Sequence, residues 1–229
     1  FDKTLTKPTF SSKIWHYSQN FDLNDICKQS THFIICMGGE HGYARYLTAK
    51  KFEGIGLKPL SLISKYYILD KLEFVGSGLQ AMPGAIAHKF SIIGDQCILN
   101  TNSTIDHDCI IGNGVHIMGS ASVAGCVKIG DYSTIGTNAT ILPNISLGNN
   151  VFIGAGAVVT CDISDNEVVA GVPAKFLRYF TPEIDLSPFD WISKLKCIYN
   201  LRYNITYTSN IHPVKMKEQV YHLFHHQFQ

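Results

Sequence analysis

Residues 105–130 read IDHDCIIGNGVHIMGSASVAGCVKIG, and stepping through them by six decides the fold. The steps fall on Ile105, Ile111, Ile117, Val123 and Ile129. Extended both ways, the same period gives Ile93 and Leu99 upstream, then Ile135, Ile141, Leu147, Ile153 and Val159 downstream. All twelve positions are Ile, Leu or Val. Residues four further on, from Cys97 and Ser103 to Ala157 and Ile163, are small or aliphatic. An amphipathic helix needs apolar spacings of three and four, and a lone strand needs two, so neither gives a period of six. A coil of short strands does. Each hexapeptide forms one flat side, three sides make a turn, and residues 18 apart stack. Gly and Asn in Gly112–Asn113–Gly114 and Gly148–Asn149–Asn150 tolerate the positive φ such corners require. The expected fold is mainly β, a left-handed parallel β-helix of hexapeptide repeats. A weaker register through Leu69, Val75, Ala81 and Ala87 extends the coil to about residues 69–164.

Outward from the coil, Thr31–Gly39 reads as a buried strand ending in Gly, and Tyr43–Phe52 as a helix. Together they suggest a small α/β domain. Glu167–Lys175 reads as an irregular exit, and an aromatic-rich tail follows, with helices expected near 188–200 and 214–226. The expected division is therefore 1–66, a small and apparently truncated α/β acceptor-binding domain; 67–175, the β-helix; and 176–229, a C-terminal extension.

The composition narrows the function classes. The 229 residues carry 19 basic and 18 acidic side chains, a net charge of +1, which offers no chain-wide attraction for nucleic acid. Hydrophobic residues at 45% and charged residues at 16% describe a folded chain. No apolar run approaches a membrane span. The seven cysteines lie at 27, 36, 97, 109, 126, 161 and 197 with no C-x-x-C pair, which points to free thiols in a reducing compartment, the cytoplasm. The sequons at Asn102, Asn138, Asn144 and Asn204 then carry no glycan. The chain does not begin with Met, so the natural N-terminus is expected upstream.

Polar interruptions of the coil locate the chemistry. His107, in Ile105–Asp106–His107–Asp108, shares its column with Gly125 one turn later. A base beside a bare backbone N–H suits acyl transfer: the imidazole takes a proton and the N–H meets an oxyanion. Asp108 could fix the imidazole tautomer. Repeat position alone favours the plainer reading of His107 as an outward polar residue. His222, His225 and His226 read as a solvated tail, and Cys97 and Cys109 as core packing.

The runs Leu99–Gly112, Val115–His116–Ile117, Val123–Gly130, Ile141–Asn144 and Gly171–Lys175 resemble the bacterial nucleotide-amino-sugar N-acetyltransferases, grouped with the sialic acid O-acetyltransferases. The resemblance covers roughly 30–175. It implies a homotrimeric, acetyl-CoA-dependent transferase with sites between adjacent coils and no metal. His107 matches the general base and Asp108 the acidic residue beside it. His116 matches a contact to the acetyl end of the donor, and Gly125 the backbone donor to the thioester oxygen. Thr137 and Ala155 match pantetheine contacts, and Pro173 and Lys175 lie where the CoA nucleotide is expected. Asn100 matches a residue near the acceptor sugar, a nucleotide-linked amino-deoxysugar used in surface-glycan synthesis. The family's opening strand and Gly-rich, His-containing turn has no counterpart before residue 30, and Gly38–Gly39–Glu40–His41–Gly42 reads as an ordinary strand-to-helix turn. Two other readings compete with N-acetylation: sugar O-acetylation at the same site, and a non-catalytic trimeric scaffold. A three-histidine zinc site of the carbonic-anhydrase kind is not completed here, since His107 and His116 are nine apart and no nearby H-x4-H pair joins them.

Overall fold

The computed structural model describes residues 30–181. The two tail helices expected near 188–200 and 214–226, the tail histidines, Cys27, Cys197 and most of the expected extension lie outside the described residues.

The coil is a parallel β-solenoid, a left-handed β-helix of about six turns, built as three sheets of two-residue strands. Face I stacks six strands from Ile68–Leu69 to Val158–Val159, and face II stacks five from Phe74–Val75 to Ser146–Leu147. Face III stacks eight from Leu62–Ile63 to Lys175–Tyr179. Neighbouring rungs pair in parallel 18 residues apart, as in Thr104 with Ser122 and Ile105 with Val123. The second residue of each pair points inward. Ile93, Leu99, Ile105, Ile117, Ile135 and Ile141 have no solvent exposure. Each such burial contributes roughly 1.5–3 kcal/mol, so the column is the dominant source of stability.

From Ser77–Gly78 to Ala155–Gly156 every corner is a two-residue turn whose second residue has positive φ. Glycine takes that place at Gly78, Gly84, Gly114 and Gly156, and Asn at Asn102, Asn138, Asn144 and Asn150. Phe90 at +62° and Tyr132 at +64° occupy the same conformation despite their bulk. Small side chains fill the narrow interior behind the corners. Cys97 and Cys109 are buried there, with their thiols pushed up to about 12 and about 11 by burial. Their Sγ atoms lie 3.1 Å from the carbonyls of Gly112 and Ala124.

The coil exceeds its sequence-read limits at both ends. Leu62–Ile63 already pairs with Gln80–Ala81. At the far end the rung shortens by two residues. Ile163 bridges Leu147 and Val168 pairs with Phe152, both 16 apart. Ile163 is therefore an inward-facing rung residue of face II and not the small residue behind a corner. Glu167–Ala170 is a strand of face III, so the irregular exit begins only at Gly171. It contains a cis Val172–Pro173 bond. Lys175–Tyr179 then returns antiparallel to Glu167–Ala170.

Before the coil, the expected long strand is reduced to His32–Phe33, paired in parallel with Lys58–Pro59 across the helix α1 (Gly42–Glu53). This unit docks on the coil through Arg45. The fully buried guanidinium donates to the carbonyls of Gln96 (2.8 Å), Met37 (2.6 Å) and Gly114 (2.7 Å). Burial draws its pKa down to about 10, so it remains charged at neutral pH. The helix backbone approaches closely at Gly42, where an added Cβ would collide with the Gly114 carbonyl. Tyr43 and Tyr46 close the contact around Tyr132, at ring-centroid distances of 5.1 and 5.6 Å.

Candidate active site

The three faces meet at three kinds of corner, and they treat their backbone N–H groups differently. Between faces II and III, the first turn residues form a ladder of carboxylates and amides. Ser77 N–H donates to Asp95, Asp95 to Asn113, Asn113 to Asp131, Asp131 to Asn149, and Asn149 to Asp165, at 2.8–3.0 Å. Each rung's N–H is satisfied by the side chain of the next rung. Alternating Asp and Asn from Asp95 to Asp165 keeps like charges from adjoining, the shortened last rung included. An 18-residue step from Asp95 reads out most of this column, so the sequence signal existed.

Between faces I and II lies the corner of His107 and Gly125. His107 N–H donates to Asp106 Oδ1 at 2.8 Å, a cap supplied by the preceding residue. One rung on, Ala124 stands where Asp106 stood and cannot cap. The Gly125 N–H accordingly has no hydrogen-bond partner among the described residues, while its carbonyl accepts from the Asn144 N–H at 3.1 Å. The imidazole lies directly over this glycine: a Cβ at Gly125 would sit 2.8 Å from His107 Nε2 and Cε1. Only glycine leaves room for the ring where it is. His107 Nδ1 lies 2.7 Å from Asp108 Oδ2, with both side chains about half exposed. That hydrogen bond raises the imidazole pKa. With Nδ1–H donating to Asp108, Nε2 carries the lone pair and faces the glycine.

Between faces III and I lie Thr137 and Ala155. Both are exposed, both N–H groups lack partners among the described residues, and they occupy successive rungs. The same corner begins with Asn100, whose Oδ1 caps the Thr101 N–H at 2.7 Å as Asp106 caps His107. That oxygen is thus engaged, and the Asn100 amide nitrogen is the group left for an outside partner. Face I connects this corner to the His107 corner. Its outward residues there are the short Thr104, Ser122 and Thr140, with Thr104 Oγ1 3.2 Å from Ser122 Oγ. The exit loop closes the top of face I through Gly171 O to Val158 N–H (3.0 Å) and Ala174 N–H to Val158 O (2.8 Å). Pro173 and Lys175 flank that contact.

His116 is placed differently from the other expected donor contacts. It lies on face III, 5% exposed, beneath the Gly38–Gly42 turn. Its Nδ1 donates to the Gly39 carbonyl at 3.1 Å, and burial lowers its pKa, so the ring is neutral. Nε2 is then a buried lone-pair acceptor with no partner among the described residues. Within one chain His107 stands at the corner between faces I and II, whereas His116 stands on face III.

One member of the corner escaped the sequence reading, which placed no thiol beside His107. Cys126 does stand there: its Sγ and the ligand atoms of His107 and Asp108 all lie within 4.8 Å of one another. An 18-residue step from Asp108 lands on Cys126 and would have found it.

Comparison with known proteins agrees with the hexapeptide-repeat coil. The model of the bacterial transferase hexapeptide (six repeats) family matches residues 108–142 and 129–161. No curated protein matches the chain. Among solved structures, the acetyltransferase domain of PglB from Neisseria gonorrhoeae is 30% identical, with a TM-score of 0.63, over 73% of this chain and 85% of that one. PerB from Caulobacter crescentus, solved with CoA and GDP-perosamine, is 27% identical, with a TM-score of 0.65, over 68% of this chain and 74% of that one. WeeI from Acinetobacter baumannii is 28% identical, with a TM-score of 0.61, over 67% and 75%. The chain therefore belongs to the hexapeptide-repeat family of bacterial nucleotide-amino-sugar N-acetyltransferases, and it is an acyltransferase.

Proposed function

We propose that this protein transfers the acetyl group of acetyl-CoA to the amino group of a nucleotide-linked amino-deoxysugar during surface-glycan synthesis, by direct attack in a ternary complex. The observation that carries the reading is the imidazole seated over a glycine whose N–H is unpartnered among the described residues. The neutral sugar amine attacks the thioester carbonyl carbon, and the oxyanion that develops is met by the Gly125 N–H. His107 Nε2 removes the proton from the nitrogen as the C–N bond forms. CoA departs as the thiolate and takes that proton from the imidazolium, so the products are the acetamido sugar and CoA thiol. Asp108 holds the ring in the tautomer that presents Nε2 and stabilises the imidazolium between the two proton transfers.

The PglB acetyltransferase domain is solved in complex with acetyl coenzyme A, and PerB with CoA and GDP-perosamine. In this chain the bare N–H groups of Thr137 and Ala155 suit the amide carbonyls of a pantetheine arm lying along the short floor of face I. Pro173 and Lys175 would meet the nucleotide end of CoA, Lys175 as a cation for phosphate. Asn100 would meet the acceptor sugar. An acetyl thioester has no proton to donate to the buried lone pair of His116 Nε2, so the donor contact expected of His116 does not enter this reading. The protein would act as a cytoplasmic homotrimer with sites between coils.

The test is acetyl transfer by His107→Ala against a panel of nucleotide amino sugars, with hydroxyl sugars alongside. Loss of the base should lower kcat by about 10²–10⁴-fold. Full activity in that variant, or turnover confined to hydroxyl acceptors, would overturn the reading.

A further inference from the structure

We propose that His107, Asp108 and Cys126 form a binding site for a thiophilic divalent cation, zinc above all, whose occupancy silences the base. Three donors of different kinds, an imidazole nitrogen, a carboxylate oxygen and a thiol sulfur, lie within 4.8 Å of one another at a single corner. Their backbones are fixed by the coil. Asp108 and Cys126 are the second turn residues of consecutive rungs, at φ +58° and +63°, and the Cys126 N–H donates to the His107 carbonyl at 2.9 Å. The side chains, by contrast, are free to adjust: His107 and Asp108 are about half exposed, and Cys126 is exposed. Small rotations admit an ion between His107 and Asp108 without disturbing the core.

Sulfur, nitrogen and oxygen together suit zinc, which takes three protein ligands and an open fourth position at about 2.0–2.3 Å. Binding displaces the thiol proton to solvent and forms the metal–sulfur bond. The buried thiols Cys97 and Cys109 face backbone carbonyls and offer no comparable set. Cys126 stands at a left-handed position that Cys rarely adopts and that Asn144 fills on the next rung. The thiol therefore has no conformational reason to be there. The silencing of activity rests on the reading of His107 as base; the binding of metal does not.

The experiment adds Co²⁺ to the metal-free full-length protein, without substrates, and follows absorption. One Co²⁺ per chain with a sulfur-to-cobalt charge-transfer band, displaced by Zn²⁺, is expected. Cys126→Ser, and Cys126→Asn as the variant that suits positive φ, should abolish the band. They and His107→Gln should weaken binding by at least about tenfold, the lower end for disturbing a metal site. Binding that persists unchanged in these variants, without a thiolate band, would assign the metal to His222, His225 and His226 and overturn the proposal. So would no binding at millimolar Co²⁺. Acetyl transfer by the unaltered chain, assayed with and without chelator, reads the second half: Zn²⁺ should inhibit reversibly, and full activity at saturating Zn²⁺ would reject silencing. Activity of His107→Ala in chelator tests the base separately.

Discussion

The Asn113 corner and the His107 corner are made by the same repeat, yet they spend their polar groups in opposite ways. At the first, each rung's N–H is closed by the Asp or Asn of the next rung, and α1 is clamped over two of its carbonyls by Arg45. At the second, a glycine N–H has no partner among the described residues, an imidazole lies over it, and its carboxylate neighbour faces solvent. One corner is hydrogen-bonded inward and stabilises; the other leaves its donors for something not yet bound. The difference comes from single residues on a common backbone. Asp106 caps His107, and Ala124 in the equivalent place does not cap Gly125.

The sharpest way to break this contrast is Arg45→Met. It would strand the Gln96 and Gly114 carbonyls beneath α1, and should lower unfolding free energy by about 2–6 kcal/mol, at about 1–3 kcal/mol per unsatisfied group. Denaturant titration reads it; a midpoint unchanged from the parent protein would mean that α1 is held by its tyrosines alone. Gly125→Ala is the counterpart. Its Cβ meets an exposed ring that can swing away, so stability should stay within about 0.5 kcal/mol. Misplacing the base should nevertheless cost about 10²-fold in kcat. Equal loss of stability and activity would show the His107 corner to be structural after all.

Asp131→Ala removes the acceptor for Asn113 N–H and should cost about 0.5–1.5 kcal/mol, the net worth of one hydrogen bond, while kcat/KM is retained. A drop in kcat/KM without a drop in Tm would reverse the roles assigned to the two corners. The smallest effect is on pH dependence. Asp108 raises the His107 pKa, and a base works only when deprotonated, so activity should rise through a limb above that of a free imidazole. Asp108→Asn removes the charge and should move that limb to lower pH, with a lower plateau from the loosened tautomer. A pH–rate profile that does not move would separate Asp108 from the base.

The coil was legible because its period cannot be produced by an ordinary helix or strand, and because Ile105, Ile117 and Ile135 must all point inward for the rungs to close. The stacking of His107 on Gly125 was legible for the same reason: a column is arithmetic. Cys126 and the Asp95-to-Asp165 ladder obeyed the same arithmetic, but their meaning lies in which atoms face each other, and spacing does not state that. His116 illustrates the limit. Its motif marks it as a donor contact, yet its bond to Gly39 depends on a segment 77 residues away. The last rung escaped because a two-residue deletion leaves the aliphatic pattern nearly intact while shifting Ile163 from a corner to a face.

The stacking distance of 18 residues also makes this chain modular in length. A duplicated block of that size inserted after a rung above Asn144 would hand every downstream residue to the same face and column, moving Ala170–Lys175 outward by one strand spacing, about 4.8 Å. The corner of His107 would not register the change, whereas the distance to the exit loop would. A series of such insertions would act as a molecular ruler, reading how far along the donor the chain's two ends must cooperate.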